Sequence, residues 1–361
     1  MNEFENLMNN AIKDGVFPGC NVGIILKNNN QYNKKFYSFG NKALYPNIEK
    51  NDINTIYDMA SCSKVVSTTS CIFKLVEMGK IRLYDYVCLY LPEFKHKDIT
   101  IWDLMTHTSG LPEGLSGAWT MGRDDIINGI MNVEKKFEKN TTIHYSDIGF
   151  VLLGLIVERV SNMSLDEFAN EYIFSKLDMI DTKYIRVNEN NEIDIKRYAP
   201  TEIRENGKID RGYVHDEMAY NMNGVAGHAG LFSTVKDLSN FIEMILNDGV
   251  YNNKKIFDKK TIDLMFTPQV EEKVGIGIET DKRGLGWIVK GKNSCCGDLA
   301  SSETILHTGF TGTNIFIDRK NKVGFVMLSN RVHPTRKNTL IIPFRSRIAN
   351  YVMAHLEEFN E

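Results

Sequence analysis

At 361 residues the chain exceeds the roughly 250–300 residues at which one hydrophobic core stops growing, so two packed lobes are expected. Hydrophobic residues make up 42% and charged residues 25%, the balance of an ordinary globular enzyme, which excludes a disordered, fibrous or membrane-embedded chain. The formal net charge is −3 and no block of Lys or Arg forms a stripe, which argues against a nucleic-acid partner and leaves small or neutral ligands open.

Residues 3–14 have the spacing of an amphipathic helix, and GCNVGIILKN and KKFYSFGN read as two strands around the solvated turn NNNQYN. An antiparallel hairpin therefore opens the fold. From Ser61 the period changes: SKVVSTTSCIFKLVEMG is helical with Gly79 as its C-cap, and further helices are predicted at 101–107, 147–161 and 164–174. Segments 235–248 and 258–266 are also helical, and strands return at GLGWIVKG, ETILHTG, TNIFIDR and KVGFVMLSN before a last helix near 341–358. Sheet residues thus come from both ends of the chain. The expected fold class is α/β (mixed α+β): an antiparallel sheet flanked by helices, with an α/β lobe of 1–60 plus 284–361 and an inserted, mainly helical lobe of 61–283.

The opening residues, MNEFENLMNNAIKDGVFPG, are acidic and polar where a secretory leader would start basic and turn apolar. The six cysteines are dispersed except for Cys295–Cys296, and none has Cys-x-x-Cys spacing. The expectation is a cytoplasmic protein with reduced thiols. No apolar segment approaches the roughly 20 residues that span a bilayer, so no membrane partner is expected.

The candidate chemistry starts at ASCSK, where Ser61 and Lys64 lie three apart at the start of an apolar helix and project from one face. A serine hydroxyl is a weak nucleophile that needs a neighbouring base, and a lysine serves only if its pKa is lowered. Burial and the positive end of a helix dipole both push that way. The helix start also offers the Ser61 N–H as an oxyanion donor. The spacing alone proves little, because Ser233 and Lys236 share it; there Thr234 and Asp237 form a helix start that explains the match structurally. Ser61 differs in its company. IHYSDIGFVLLG sets Tyr145 and Asp147 just before another apolar helix, and ILHTGFTGTNIF sets His307, Thr308 and Gly309 on a strand edge beside glycines that permit close backbone approach.

These pieces, in this order, resemble the serine β-lactamase and penicillin-binding protein superfamily, in particular its class C β-lactamase branch with the related DD-peptidases, esterases and D-aminopeptidases. FPGCNVGIILKN, YDMASCSK, LMTHTSGLP, YSDIGFVLLG, GVAGHAGLFST and HTGFTG all look like segments of that family. The resemblance implies acylation of Ser61, with Lys64 and Tyr145 as general base and Tyr145 then as acid toward the leaving group. It implies the Phe310 N–H as second oxyanion donor and no cofactor or metal. Two residues depart from the pattern: the branch usually has Tyr-x-Asn where this chain has Tyr145-Ser146-Asp147, and β-lactamases usually have Lys-Thr-Gly where it has His307. A largely neutral histidine and an added carboxylate weaken the attraction for an anionic β-lactam. The expected substrate is a small-molecule or peptide-like amide or ester. VHDEMAYNMNGVAGHAGLFST and LSNRVHPTRKN further resemble amidases that act on muramyl-peptide wall fragments.

Other residues have plainer readings beside sharper ones. His107 reads as a loop residue satisfying backbone groups. His215 and Asp216 are candidates for the substrate pocket; with His228 they could suggest zinc, but no metal-motif spacing supports it. Cys62 points about 100° from Ser61 on the helix and reads as a core thiol. Arg331 and Arg336 are either substrate-carboxylate ligands or surface charges, and Trp102, Trp119 and Trp287 either line the cleft or pack in the core. A true β-lactamase, a non-catalytic penicillin-binding sensor and an acyltransferase stay open as alternatives, because a scaffold does not fix its function. The oligomeric state is not legible in the sequence.

Overall fold

The structure, a computed structural model, describes residues 3–28, 31–187, 189, 192–273, 280–292 and 294–360. The tip of the NNNQYN turn, residues 29–30, lies outside the described residues. Its centre is a nine-stranded antiparallel sheet in the order Glu49–Lys50, Gln31–Ala43, Gly19–Asn28, Val323–Ser329, Asn314–Asp318, Thr304–Thr308, Ile288–Val289, Thr280–Arg283 and Val270–Lys273. The predicted hairpin and the returning strands therefore meet at the middle, with Val22 opposite Met327 and Ile24 opposite Phe325.

VGFVML is a continuous apolar run because both faces of the sheet are covered. Val22, Ile24, Leu306, Phe316, Phe325 and Met327 enter one core with the helices Glu3–Lys13 and Ile341–Ala354. Their neighbours Ile25, Ile305, Ile317, Val326 and Leu328 enter the other, with the helix Val235–Leu246 and the inserted helical part. This period-2 division is what a pleated strand imposes.

Three differences from the sequence reading have physical causes. The sheet begins before residue 284, because Val270–Lys273 and Thr280–Arg283 pair at its edge. VEEK and TDKR are charged, edge-suited sequences with no apolar alternation to reveal them. The run from Ser61 to Gly79 is not one α-helix but a 3-10 turn over Ala60–Cys62, a π-type segment over Lys64–Thr69 and an α-helix over Ser70–Glu77. KVVSTT crowds β-branched and hydroxyl side chains that fit an α-helix poorly. The last α-helix ends at Ala354, followed by a 3-10 turn. Among the described residues no single helix is long and apolar enough to cross a bilayer.

Candidate active site

Ser61 owes its position to the turn before it. The short strand Tyr57–Asp58 pairs with Leu231–Ser233, and the chain then swings through Ala60, a non-glycine residue at φ +44°. Such a conformation is costly and persists only where neighbours enforce it. Here the buried Asp58 carboxylate accepts the Ala60 N–H at 2.8 Å and the His215 N–H at 2.8 Å. The Ser63 hydroxyl closes the turn by donating to the Ala60 carbonyl at 2.6 Å.

Two side chains converge on the Ser61 hydroxyl. Lys64 Nζ donates to Oγ at 3.0 Å and the Tyr145 hydroxyl donates to it at 2.8 Å. Lys64 has no exposed surface; its ammonium also donates to the His228 carbonyl at 3.1 Å and lies 4.8 Å from the centre of the Tyr145 ring. Asp147 Oδ1 stands 2.7 Å from Nζ, a close ion pair whose angles are poor for a hydrogen bond. Its consequence corrects the sequence reading. Burial does disfavour the ammonium, but the Asp147 charge, followed by Tyr145, outweighs it, so Lys64 is pushed above its ordinary value rather than below. Burial is also the main reason the Tyr145 phenol is raised.

The third motif arrives on strand Thr304–Thr308. His307 is buried, its Nδ1 donates to the Thr308 carbonyl at 2.9 Å, and its Nε2 has no hydrogen-bond partner among the described residues. Burial, then the nearby Lys64 and Arg283 charges, push it down to about 3, so it is neutral at pH 7. Thr308 pairs with Asn314 at the strand end. Gly309 lies so near the Ser61 turn that a Cβ there would meet the Met59 carbonyl oxygen at 2.5 Å and Thr313 Oγ1 at 2.0 Å. Thr311 and Thr313 latch this loop to the carbonyls of Asp58 and Met59 at 2.7 and 3.1 Å. Among the described residues no hydrogen bond engages the N–H of Ser61 or Phe310, so both are available to an incoming oxyanion. The Phe310 ring is half exposed, stacks on His215 at 5.8 Å and carries the Arg331 guanidinium at 4.3 Å.

His215 and Asp216 lie one layer back. His215 Nε2 meets Glu202 Oε2 at 3.1 Å, and Asp216 caps the helix Glu217–Asn221 while holding His228 Nε2 at 2.8 Å. Asp147, Asp216 and His228 bring ligand-type atoms within 4.8 Å of one another, but the Lys64 ammonium already sits against this group. Arg331 is tied to the Phe310 and Arg336 carbonyls and Arg336 to Glu202 and Glu217, so neither is a free ligand for a carboxylate. The sequence decoy separates as expected: Ser233 bonds Thr182, while Lys236 reaches out to Asn54. Cys62 is buried against the His307 carbonyl, and burial pushes its thiol up to about 11.

Sequence reasoning missed two positioning residues. Asp58 is one; its signal was an Asp two residues before the strained Ala60. His107 is the other. As expected it serves a backbone group, accepting the Ser146 N–H at Nδ1 (3.1 Å), but its ring also lies 4.7 Å from that of Tyr145 and fixes it from behind.

With the geometry in hand, comparison with known proteins is informative. The profile of the β-lactamase family matches residues 4–348. An N-acetylmuramyl-L-alanine amidase of Bacillus subtilis (strain 168) is 32% identical over 354 residues, which cover 88% of this chain and 78% of that protein. The octameric penicillin-binding protein homologue from Pyrococcus abyssi superimposes with a TM-score of 0.73 at 21% identity, covering 99% of this chain and 77% of that one. A class C β-lactamase from Rhodobacter sphaeroides gives a TM-score of 0.73 at 18% identity, covering 98% of this chain and all of that one. At these identities the two structures establish the shared fold.

Proposed function

The chain belongs to the β-lactamase family, and from that premise we propose a serine hydrolase that forms an acyl-enzyme at Ser61 and cleaves an amide of a muramyl-peptide wall fragment. The observation that carries the reading is the Ser61 hydroxyl held at hydrogen-bond distance by both Lys64 and Tyr145. The named activity of the Bacillus subtilis relative supports the substrate class.

In this mechanism Ser61 Oγ attacks the substrate carbonyl carbon while its proton passes to Lys64 Nζ, which yields one of its own to the Asp147 carboxylate. An ammonium is no base, so the base equivalent is the Asp147 carboxylate, reached through Lys64. The N–H groups of Ser61 and Phe310 receive the developing oxyanion. On collapse the C–N bond breaks and Tyr145 gives its proton to the departing amine, taking one back from the adjacent Lys64–Asp147 pair; water then repeats the cycle on the acyl-enzyme. His307, neutral and buried, contributes no cation.

Mass spectrometry after treatment with a fluorophosphonate should show one adduct, on Ser61, absent from Ser61→Ala. Turnover of a muramyl dipeptide should fall by roughly 10⁴ to 10⁶ in that variant. An unmodified chain together with undiminished Ser61→Ala turnover would sink the proposal. The Lys64–Asp147 pair favours one second reading, a penicillin-binding sensor that acylates slowly and turns nothing over. Comparing nitrocefin, nitrophenyl esters, D-amino acid amides and muramyl-peptides by kcat/KM separates the two.

A further inference from the structure

Beside the catalytic group lies a cavity of about 1100 Å³, at the upper end of the range of small-molecule sites. It shares two walls with that group. His215 stacks on Phe310 on one side and hydrogen-bonds the cavity residue Glu202 on the other. The helix Glu217–Asn221, whose Glu217 and Tyr220 line the cavity, is capped by Asp216, which holds His228, whose carbonyl holds Lys64.

The lining has a definite chemistry. Arg336 pairs with Glu202 and Glu217, and Arg204 with Asp210 and Glu217, several of these contacts at 2.5–2.6 Å. With Lys208 and Lys337 the lining carries four cations against the four carboxylates of Glu202, Glu205, Asp210 and Glu217, so the cavity as a whole does not select an anion. It presents a dense array of donors and acceptors instead. At its mouth Trp119 is 66% exposed, yet it is not loose: it sits in the 3-10 turn Ala118–Thr120, which Asn221 pins by donating to the Ala118 carbonyl at 2.8 Å. A fixed, largely exposed indole, beside a polar but charge-balanced wall, suits a ligand with one apolar face and a rim of hydroxyl and amide groups.

We propose that this cavity is a saccharide subsite, with Trp119 as the platform for the ring of an N-acetylated sugar and the paired side chains of Glu202, Arg204, Glu217 and Arg336 as partners for its polar groups. The proposal rests on the muramyl-peptide reading for its connection to catalysis, but the site itself is testable without turnover. In the full-length Ser61→Ala protein, N-acetylmuramic acid and N-acetylglucosamine should bind by calorimetry and perturb tryptophan emission, whereas the sugar-free dipeptide L-alanyl-D-isoglutamine should not. Trp119→Ala should weaken saccharide binding at least about tenfold, the loss expected when an aromatic contact to the ligand is removed, and Trp119→Phe should restore most of it. In the active enzyme Trp119→Ala should raise KM for muramyl dipeptide with little change in kcat. Absence of saccharide binding at millimolar concentration, or binding indifferent to Trp119→Ala, overturns the subsite. Saccharide binding that depends on Trp119 in a protein that cleaves no muramyl-peptide would sustain the subsite and sink the hydrolase reading instead; cleavage with an unchanged KM in Trp119→Ala would do the reverse.

Discussion

Asp147 decides the protonation state of Lys64. With the carboxylate 2.7 Å away the lysine stays an ammonium; with it gone, burial dominates and the pKa falls. Followed from about pH 5 to 11, Ser61 acylation by a fluorophosphonate should therefore show no ionisation near the ordinary lysine value of about 10.4 in the native protein. Asp147→Asn should introduce one below that value, and superimposable profiles would refute the assignment. His307 offers a second test. Its folded pKa is depressed to about 3, so the unfolded chain binds one more proton between that value and about 6.5. Its contribution is fully present above pH 6.5 and is lost as pH falls toward 3. Urea unfolding of His307→Asn should accordingly show a stability slope smaller by about 1.4 kcal/mol per pH unit in that window than the native protein does. At this scale the grouping of Ser61, Lys64, Tyr145 and His307 was legible because spacing and order mark them. The direction of the Lys64 shift was not, because it depends on an Asp 83 positions away whose distance only folding sets. Asp58 and the packing of the His107 ring on Tyr145 were hidden for the same reason: no motif spacing announces such contacts.

The elements show where the site's precision comes from. Helix Ile341–Ala354 packs on the sheet face away from the inserted helices, yet its Arg345 reaches the Gly309 and Thr313 carbonyls at 2.7 and 3.1 Å and holds the loop that carries Phe310. Arg345→Met keeps much of the apolar stem while leaving two buried carbonyls without that donor. We expect a loss of about 2–5 kcal/mol in denaturant titration, with slower Ser61 acylation in the folded variant. Normal stability with normal acylation would show that the loop needs no such brace. The long apolar elements were legible from period alone. The two-residue strand at Tyr57–Asp58 and the charged edge pair were not, since two residues carry no period and an edge strand needs no apolar face.

The whole molecule is organised around one sheet that serves two cores. Phe316 and Ile317 are adjacent in sequence and fully buried on opposite faces. Neither core can lose its contribution without exposing strands the other requires. Calorimetry should therefore record one cooperative transition, and Phe316→Ala, at a cost of about 3–5 kcal/mol, should lower its midpoint without splitting it. Two resolved transitions would show that the cores melt separately. The paired arginines of the cavity have a kinetic consequence as well. Because Arg204 and Arg336 are paired with carboxylates, the lining as a whole balances four cations with four carboxylates and the chain carries a net charge of only −3, little field extends from the mouth to draw in a ligand. Encounter should then proceed near the unsteered rate of roughly 10⁵–10⁶ M⁻¹ s⁻¹ and hardly respond to ionic strength. Selection among ligands would fall to residence time, to how long each one stays once it has arrived.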